Sequence, residues 1–150
     1  SGANHSQIVA NQLQLSITHS TIIAQGVASN MQGSDQSIVR DGGGILDFCR
    51  LHDITIQAWS PFQAGFFDGV FLGHPEHAEL NAVIDRLAAK YDVAPEGIAT
   101  AWITRHPAQM QVVLGTTTPQ RVADSAAGSE VPLTRAEWYE LFRAAGWIVP

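Results

Sequence analysis

The stretch QAWSPFQAG at residues 57–65 decides how the rest of the chain is interpreted. It closes the apolar, β-branched run ITIQAW (54–59), which has the composition of a buried strand. A large aromatic residue, Trp59, then passes into Ser60, a proline and several small residues. A strand that only fills a core needs no more than a turn at its end. This pattern therefore indicates a strand that delivers side chains to a ligand.

The two faces of this strand carry different side chains, because successive residues of a strand point to opposite sides. Ile56 and Ala58 suit contact with helices, whereas Gln57 and Trp59 form a mixed face that would line the interior of a barrel. At the carboxyl end of the strand, the flat indole of Trp59 can stack on an aromatic ring of a ligand. The alternative is that Trp59 only fills the barrel core.

The chain as a whole alternates strands with helices, which predicts an α/β fold with a parallel sheet and right-handed crossovers. A whole (β/α)8 barrel takes about 250 residues, whereas this chain has 150. We therefore expect part of such a barrel, with helices that cover three parallel strands. The predicted elements are strand 8–15, a long loop at 16–44 with a short helical piece near 21–25, helix 45–53, strand 54–59, helices 77–92 and 95–106, strand 112–114, and helices 118–128 and 134–146.

Two helices have recognisable start signals. Thr134 and Glu137 have the spacing of a capping box, in which each side chain binds the backbone N–H of the other residue. Leu133 and Trp138 have the spacing of a hydrophobic staple around the same helix start. The preceding helix has Thr118 as its predicted cap, followed by a proline at the first helical position.

A candidate anion site follows the third strand, in the segment VVLGTTTPQRVADSAA at 112–127. Gly115 lets the backbone turn closely, and Thr116 and Thr117 offer hydroxyl groups before the next helix begins. The free N–H groups and positive dipole end of a helix start bind anions, and Arg121 adds a planar cation suited to phosphate. The alternative is an ordinary capped helix with a surface arginine.

Composition excludes several functions. The net charge of −6 and the pI near 5.3 argue against nucleic acid or an anionic membrane as the main partner. No apolar run reaches the roughly 18 residues of a membrane span, and the opening SGANHSQ lacks the regions of a secretory signal. Cys49 is the single cysteine, so no internal disulfide can form and we expect a cytoplasmic location. His74 and His77 lie three residues apart without further ligands in a clear pattern, so we expect no metal site.

Five motifs, taken in order, resemble the C-terminal half of the aldo-keto reductases, and most closely a bacterial branch of that family. They are NQLQLS (11–16), ITIQAWSPFQAG (54–65), IATAWITRHP (98–107), VVLGTTTPQRV (112–122) and LTRAEWYELFRAA (133–145). The likeness spans nearly the whole chain. It implies that residues 1–150 are the C-terminal part of a (β/α)8 TIM barrel, about its last three β/α units. The long loop at 16–44 is then an insertion, and 134–146 is the C-terminal helix.

The resemblance also implies a reaction, the reduction of aldehydes or ketones by hydride transfer from a nicotinamide cofactor. It assigns Gln12 to the nicotinamide carboxamide and Trp59 to stacking on the nicotinamide ring. The other matching positions lie at the pyrophosphate (Ser60, Pro61, Phe62, Gln63 and Ala64), at the adenosine 2′-phosphate (Gly115, Thr116, Thr117 and Arg121) and at the adenine (Asp124 and Ser125). These positions imply NADP (NADPH) rather than NAD, although many members carry lysine where Gly115 stands.

The family's catalytic residues are a tyrosine that acts as general acid, with a lysine, an aspartate and a histidine, and they lie in the first half of the barrel. None of these four residues has a matching position in this chain. We therefore expect no catalytic residue in this chain and no activity of the chain alone. A carbonyl substrate would then require a complementing N-terminal half.

Two alternatives remain open. One is a catalytically inactive partial barrel that binds a nucleotide or another protein, and the other is an unrelated small α/β binding module. In a partial barrel the first and last strands lack neighbours, so we also expect self-association through strand edges or exchanged elements.

Overall fold

One sheet of three parallel strands organises the chain, and its strands lie in sequence order. The computed structural model describes residues 8–27, 44–64 and 68–149. Within these ranges the strands are β1 (Ala10–Gln14), β2 (Thr55–Trp59) and β3 (Gln111–Val113), with β2 in the centre.

Helices follow each strand in the described part of the chain. They are α1 (Thr21–Val27), α2 (Ile45–Leu51), α3 (Ala78–Tyr91), α4 (Pro95–Thr104), α5 (Pro119–Ala127) and α6 (Arg135–Ala144), with 3-10 turns at Pro75–His77 and Gly128–Glu130. None of the helices in the described ranges has the length and apolar character needed to cross a membrane.

The predicted order of strands and helices is confirmed within the described ranges, with shifts of a few residues at the ends. β3 begins and ends one residue earlier than predicted. The predicted loop at 16–44 differs more: its helical piece extends to Val27 as α1, so residues 21–27 are helix and not loop. Residues 28–43 of that predicted loop lie outside the described residues.

The face of the sheet that carries Ile56 and Ala58 is buried under helices, as the alternation along β2 predicts. Further out, Trp102 of α4 and Trp138 of α6 join two helices. Their rings stack with centroids 4.8 Å apart. Each indole N–H also donates to the backbone carbonyl of the other residue, at 3.2 Å from Trp102 and 2.8 Å from Trp138. The stacked rings and the two hydrogen bonds together hold α6 against α4.

The start of α6 confirms the capping box. The Thr134 hydroxyl accepts a hydrogen bond from the backbone N–H of Glu137 at 3.2 Å, and the Thr134 N–H donates to the Glu137 carboxylate at 2.8 Å. Leu133 and Trp138, the predicted staple, are both buried in the core. The local sequence signal at this helix start therefore predicts its geometry correctly.

Two glycines let α4 approach α5 and the 3-10 turn that follows it. A Cβ placed on Gly128 would lie 2.1 Å from the carbonyl oxygen of Gly97, and a Cβ on Gly97 would lie 3.2 Å from the carbonyl oxygen of Asp124. Side chains at Gly128 would therefore push the two elements apart. This close crossing brings the first turn of α4 next to α5.

The other face of the sheet is open and polar. Gln12, Gln57 and Gln111 lie in register across the three strands, and their side chains form a row. The Gln12 amide donates to the Gln57 side-chain oxygen at 3.0 Å, and the Gln57 amide donates to the Gln111 side-chain oxygen at 3.0 Å. This glutamine row is the mixed face predicted from β2. Within the described residues, β1 and β3 each pair with β2 alone.

Candidate functional site

A cavity of about 600 Å³ opens at the carboxyl ends of β2 and β3. This is where parallel α/β sheets bind their ligands. The predicted site residues that line it are Trp59, Ser60, Pro61, Phe62, Gln63, Gly115, Thr116 and Arg121. The two segments that the sequence analysis treats separately, 57–65 and 112–127, therefore form walls of one cavity.

The loop that follows β2 begins with an unusual backbone. Ser60 has a φ of 53°, in the left-handed region that residues with a side chain seldom adopt. Such conformations cost of order 1 kcal/mol or more and persist where surrounding contacts impose them. They cluster at binding sites, so this conformation supports a functional role for the loop.

Contacts from two neighbouring segments hold the same loop in place. Ser16 and Thr18, which follow β1, donate their hydroxyl hydrogens to the carbonyl oxygen of Gln63 at 2.7 and 3.2 Å. On the other side, the N–H of Ala64 donates to the carbonyl oxygen of Gly69 at 2.9 Å. Ala64 itself does not line the cavity. These hydrogen bonds connect the cavity wall to the segment after β1 and to Gly69.

The start of α5 agrees with its prediction in part. The predicted cap position of Thr118 is confirmed, with proline at the start of the helix, but the Thr118 side chain makes no capping hydrogen bond. Its backbone N–H instead donates to the Thr116 hydroxyl at 3.2 Å. Because Pro119 has no N–H, the first N–H groups of α5 are those of Gln120 and Arg121, and the Thr118 side chain does not cap them. An uncapped helix start beside Arg121 suits an anion.

Gln12 lies near the cavity without lining it. It pairs with Gln57 across β1 and β2, whereas Trp59 pairs with Gln14, so Gln12 is a diagonal neighbour of Trp59 on the same face. Diagonal neighbours in a sheet are roughly 7–8 Å apart. The Gln12 amide donates a hydrogen bond to Gln57, so it would have to break this bond before it could donate to a ligand.

Three further predicted residues do not line the cavity. Thr117 is exposed beyond its rim. The Asp124 carboxylate accepts a hydrogen bond from the Gln120 amide at 2.8 Å. Ser125 is fully buried, and its hydroxyl donates to the carbonyl oxygen of Arg121 at 2.7 Å, within its own helix. The adenine roles of Asp124 and Ser125 stay predictions.

The sequence analysis missed Glu96, the second residue of α4, which lines the cavity together with Val70, Leu72 and Val113. An acidic residue in the first turn of a helix is ordinary, because it complements the helix dipole. Nothing in the local pattern therefore distinguishes Glu96 as a site residue. Its position depends on the crossing of α4 with α5.

A second cavity, of about 450 Å³, shares no lining residue with the first. It lies between α1, the end of α4 and the start of α6, and contains Arg105, His106 and Trp138. Burial, and then the charge of Arg50, lower the pKa of His106 to about 4, so this imidazole is neutral at pH 7. Among the described residues, no group of three or more His, Cys, Asp or Glu side chains comes close enough together to hold a metal ion.

These features define an α/β protein whose parallel strands carry an aromatic side chain, a hydrogen-bonded loop and a helix start without a side-chain cap around one cavity. The sequence model of the Aldo/keto reductase family matches residues 4–144, and the chain belongs to that family.

Individual relatives agree with this assignment. The chain is similar to the 6-dehydroglucose reductase of Agrobacterium fabrum strain C58, with 31% identity over 68% of this chain and 33% of that protein. It is also similar to the oxidoreductase YdhF of Escherichia coli K12, with 27% identity over 95% of this chain and 41% of that protein. The chain thus spans a third to two-fifths of the length of these relatives.

Proposed function

We propose that this chain forms the cofactor-binding part of an aldo/keto reductase, an oxidoreductase that reduces aldehydes or ketones with NADP(H). One observation carries the proposal: Trp59 at the end of β2 and Arg121 on α5 line the same cavity of about 600 Å³. Cavities of roughly 300–1,000 Å³ are typical of ligand and cofactor sites. The strands would then be the last three of a (β/α)8 barrel, and the buried, unpaired Cys49 supports a cytoplasmic location.

The residues present suit a dinucleotide. Trp59 lines the cavity, and an indole can stack on a flat ring. Arg121 and the uncapped N–H groups of α5 suit the phosphate groups. Gln12, diagonal to Trp59, carries a side-chain amide that can both donate to and accept from a carboxamide. An aromatic group and an anion-binding group therefore line one cavity, as a ligand with a ring and phosphates requires.

A bound reduced nicotinamide would supply hydride to the carbonyl carbon of the substrate. The residues of this chain bind and orient, and the carbonyl oxygen must take its proton from a general acid. The catalytic tyrosine, lysine, aspartate and histidine that the resemblance implies are not among the residues matched here. We therefore propose that the chain alone is inactive and that a complementing polypeptide supplies them to the carbonyl substrate.

Calorimetric titration of the chain with NADPH tests cofactor binding. We expect measurable binding of NADPH and a 10- to 100-fold weaker affinity for Arg121→Ala, because hydrogen bonds to charged groups contribute about 1.5–3 kcal/mol. Arg143→Ala is the matched control, since Arg143 is an exposed arginine of α6 that does not line the cavity. No heat of binding at millimolar NADPH, or equal affinities of the two variants, would contradict the proposal.

The open face of the sheet favours a second candidate function, a catalytically inactive module that binds a nucleotide or another protein. The glutamine row is exposed, and next to the edge strand β1 the side chains of Ile8 and Val9 are 67% and 68% exposed. Open strand edges with apolar side chains pair with other chains. This candidate shares the cofactor site and differs in having no complementing half.

Self-association is the expected result of the same open edge. We expect sedimentation velocity to detect species larger than the 16.1 kDa monomer as the concentration rises. Val9→Lys, which places a charge beside β1, should shift the distribution toward the monomer. Val122→Lys, at an exposed valine of α5, is the control and should leave it unchanged. A single monomeric species of the wild-type chain at all concentrations would rule out this expectation.

A further inference from the structure

Two charged residues line the candidate cofactor cavity within the described part of the chain, and they have opposite signs. Arg121 belongs to α5 and Glu96 to α4. The ion pairs found among the described residues are Arg86–Glu140 and Lys90–Glu137, so Glu96 and Arg121 are not within ion-pair distance of each other. Neither charge neutralises the other by direct contact, and a ligand in the cavity meets both.

The crossing of α4 with α5 fixes where Glu96 stands. Its neighbour Gly97 lies so close to α5 that a Cβ there would be 3.2 Å from the carbonyl oxygen of Asp124. Asp124 follows Arg121 by one helical turn. The Glu96 backbone is therefore held beside the same turn of α5 that presents the arginine. The crossing therefore brings together Arg121 and Asp124 of α5 and Glu96 of α4, that is, one cationic and two acidic residues.

The two nicotinamide dinucleotides differ at one position of the adenosine ribose. NADPH carries a phosphate there, with a charge of roughly −1.5 to −2 near pH 7. NADH carries a neutral hydroxyl, which can donate a hydrogen bond to a carboxylate. A guanidinium favours the phosphate, whereas a carboxylate favours the hydroxyl and repels the phosphate.

We propose that Glu96 is a specificity-determining residue of the cofactor cavity. Its negative charge acts against the attraction of Arg121 for the phosphate, so the chain prefers NADPH over NADH by only a small factor. This inference rests on the proposed function. The choice between the two cofactors then depends on two side chains. Arg121 of α5 favours the phosphorylated cofactor, and Glu96 of α4 favours the unphosphorylated one.

The ratio of the dissociation constants for NADH and NADPH tests this proposal in the full chain. In Glu96→Gln we expect the ratio to rise about five- to tenfold. The phosphate of NADPH is no longer repelled, and the ribose hydroxyl of NADH donates to a neutral amide oxygen, which is a weaker acceptor than a carboxylate. Glu96→Asp keeps the charge and should remain close to the wild type. Asp85→Asn removes one negative charge from the exposed face of α3, away from the cavity, and should leave the ratio unchanged.

Salt separates an electrostatic effect from a structural one. The difference between wild type and Glu96→Gln should shrink as the ionic strength rises, because salt screens partly exposed charges. If both cofactors bind and the ratio is the same in Glu96→Gln as in Asp85→Asn, the inference is wrong while the proposed function stands. If neither cofactor binds to the wild-type chain, the proposed function and the inference fail together.

Discussion

Gly128→Ala is expected to lower the free energy of unfolding by about 3 kcal/mol, the upper part of the usual range for overpacking. The added Cβ would lie 2.1 Å from the carbonyl oxygen of Gly97, 2.9 Å from its carbonyl carbon and 3.0 Å from its Cα. All three atoms belong to the backbone, so no change of side-chain rotamer relieves the clash. The 3-10 turn after α5 must move away from α4, which breaks the packing between the two helices.

Denaturant unfolding of Gly128→Ala measures this effect, and Gly26→Ala provides the control. A Cβ on Gly26, inside α1, meets no atom within 4 Å. Alanine is favoured over glycine in a helix by up to about 1 kcal/mol, so this variant should be slightly more stable than the wild type. Equal unfolding midpoints for the two variants would show that α4 and the turn are not in close contact.

Glu137→Gln is expected to cost about 3 kcal/mol of stability, because one buried carboxylate joins the end of α3 to the start of α6. Glu137 of α6 is 7% exposed. It accepts hydrogen bonds from the Lys90 ammonium at 2.5 Å and from the Tyr91 hydroxyl at 2.7 Å, both at the end of α3. The Thr134 N–H and hydroxyl donate to it at 2.8 and 2.9 Å. A glutamine cannot accept all of these bonds, and it leaves Lys90 without its counter-charge.

This carboxylate also makes stability depend on pH. Burial alone would raise the pKa of Glu137, but hydrogen bonds from Lys90, Tyr91 and Thr134 outweigh burial and lower the pKa to about 2. The unfolded chain then binds the proton more readily than the folded one. The contribution of Glu137 is complete above the unfolded pKa of about 4.5 and is lost as the pH falls toward 2, by up to about 3 kcal/mol.

Unfolding midpoints measured from pH 6 to pH 3 test this prediction. The loss of stability below pH 4.5 should be clearly smaller in Glu137→Gln than in the wild type. Glu140→Gln is the matched control on the same helix: Glu140 pairs with Arg86 at 2.6 Å, but both side chains are about half exposed. Exposed pairs contribute about 0–1 kcal/mol, so this variant should follow the wild-type pH curve. Parallel pH curves for wild type and Glu137→Gln would refute the role of Glu137.

Local signals predicted the elements well, because periodicity, capping and turn residues act within a few positions of the chain. The strand that ends at Trp59 and the capping box of Thr134 and Glu137 are examples. The alternation along β2 likewise predicted which face packs on helices and which carries the polar side chains. At Thr118 the signal predicted the cap position correctly, but the side chain makes no capping hydrogen bond. A neighbouring hydroxyl, that of Thr116, changes the local hydrogen bonding there.

Tertiary contacts decided which of the predicted site residues share a cavity. The segments around Trp59 and Arg121 come together because parallel strands end at the same edge of the sheet, which the topology predicts. Glu96 joins them only because α4 crosses α5 at Gly97 and Gly128, a contact between residues distant in sequence. Gln12 binds Gln57, since strand register places the two amides opposite each other.

By itself, then, the sequence determined the order of the elements, the buried face of β2 and the start of α6. Each of these depends on residues within about one or two turns of one another. Only the tertiary structure decided that Glu96 faces the cavity and that Glu137 joins α3 to α6, because both outcomes depend on how closely separate helices pack. Backbone contact distances at glycines and the burial of a carboxylate arise from the whole fold, and no local pattern encodes them.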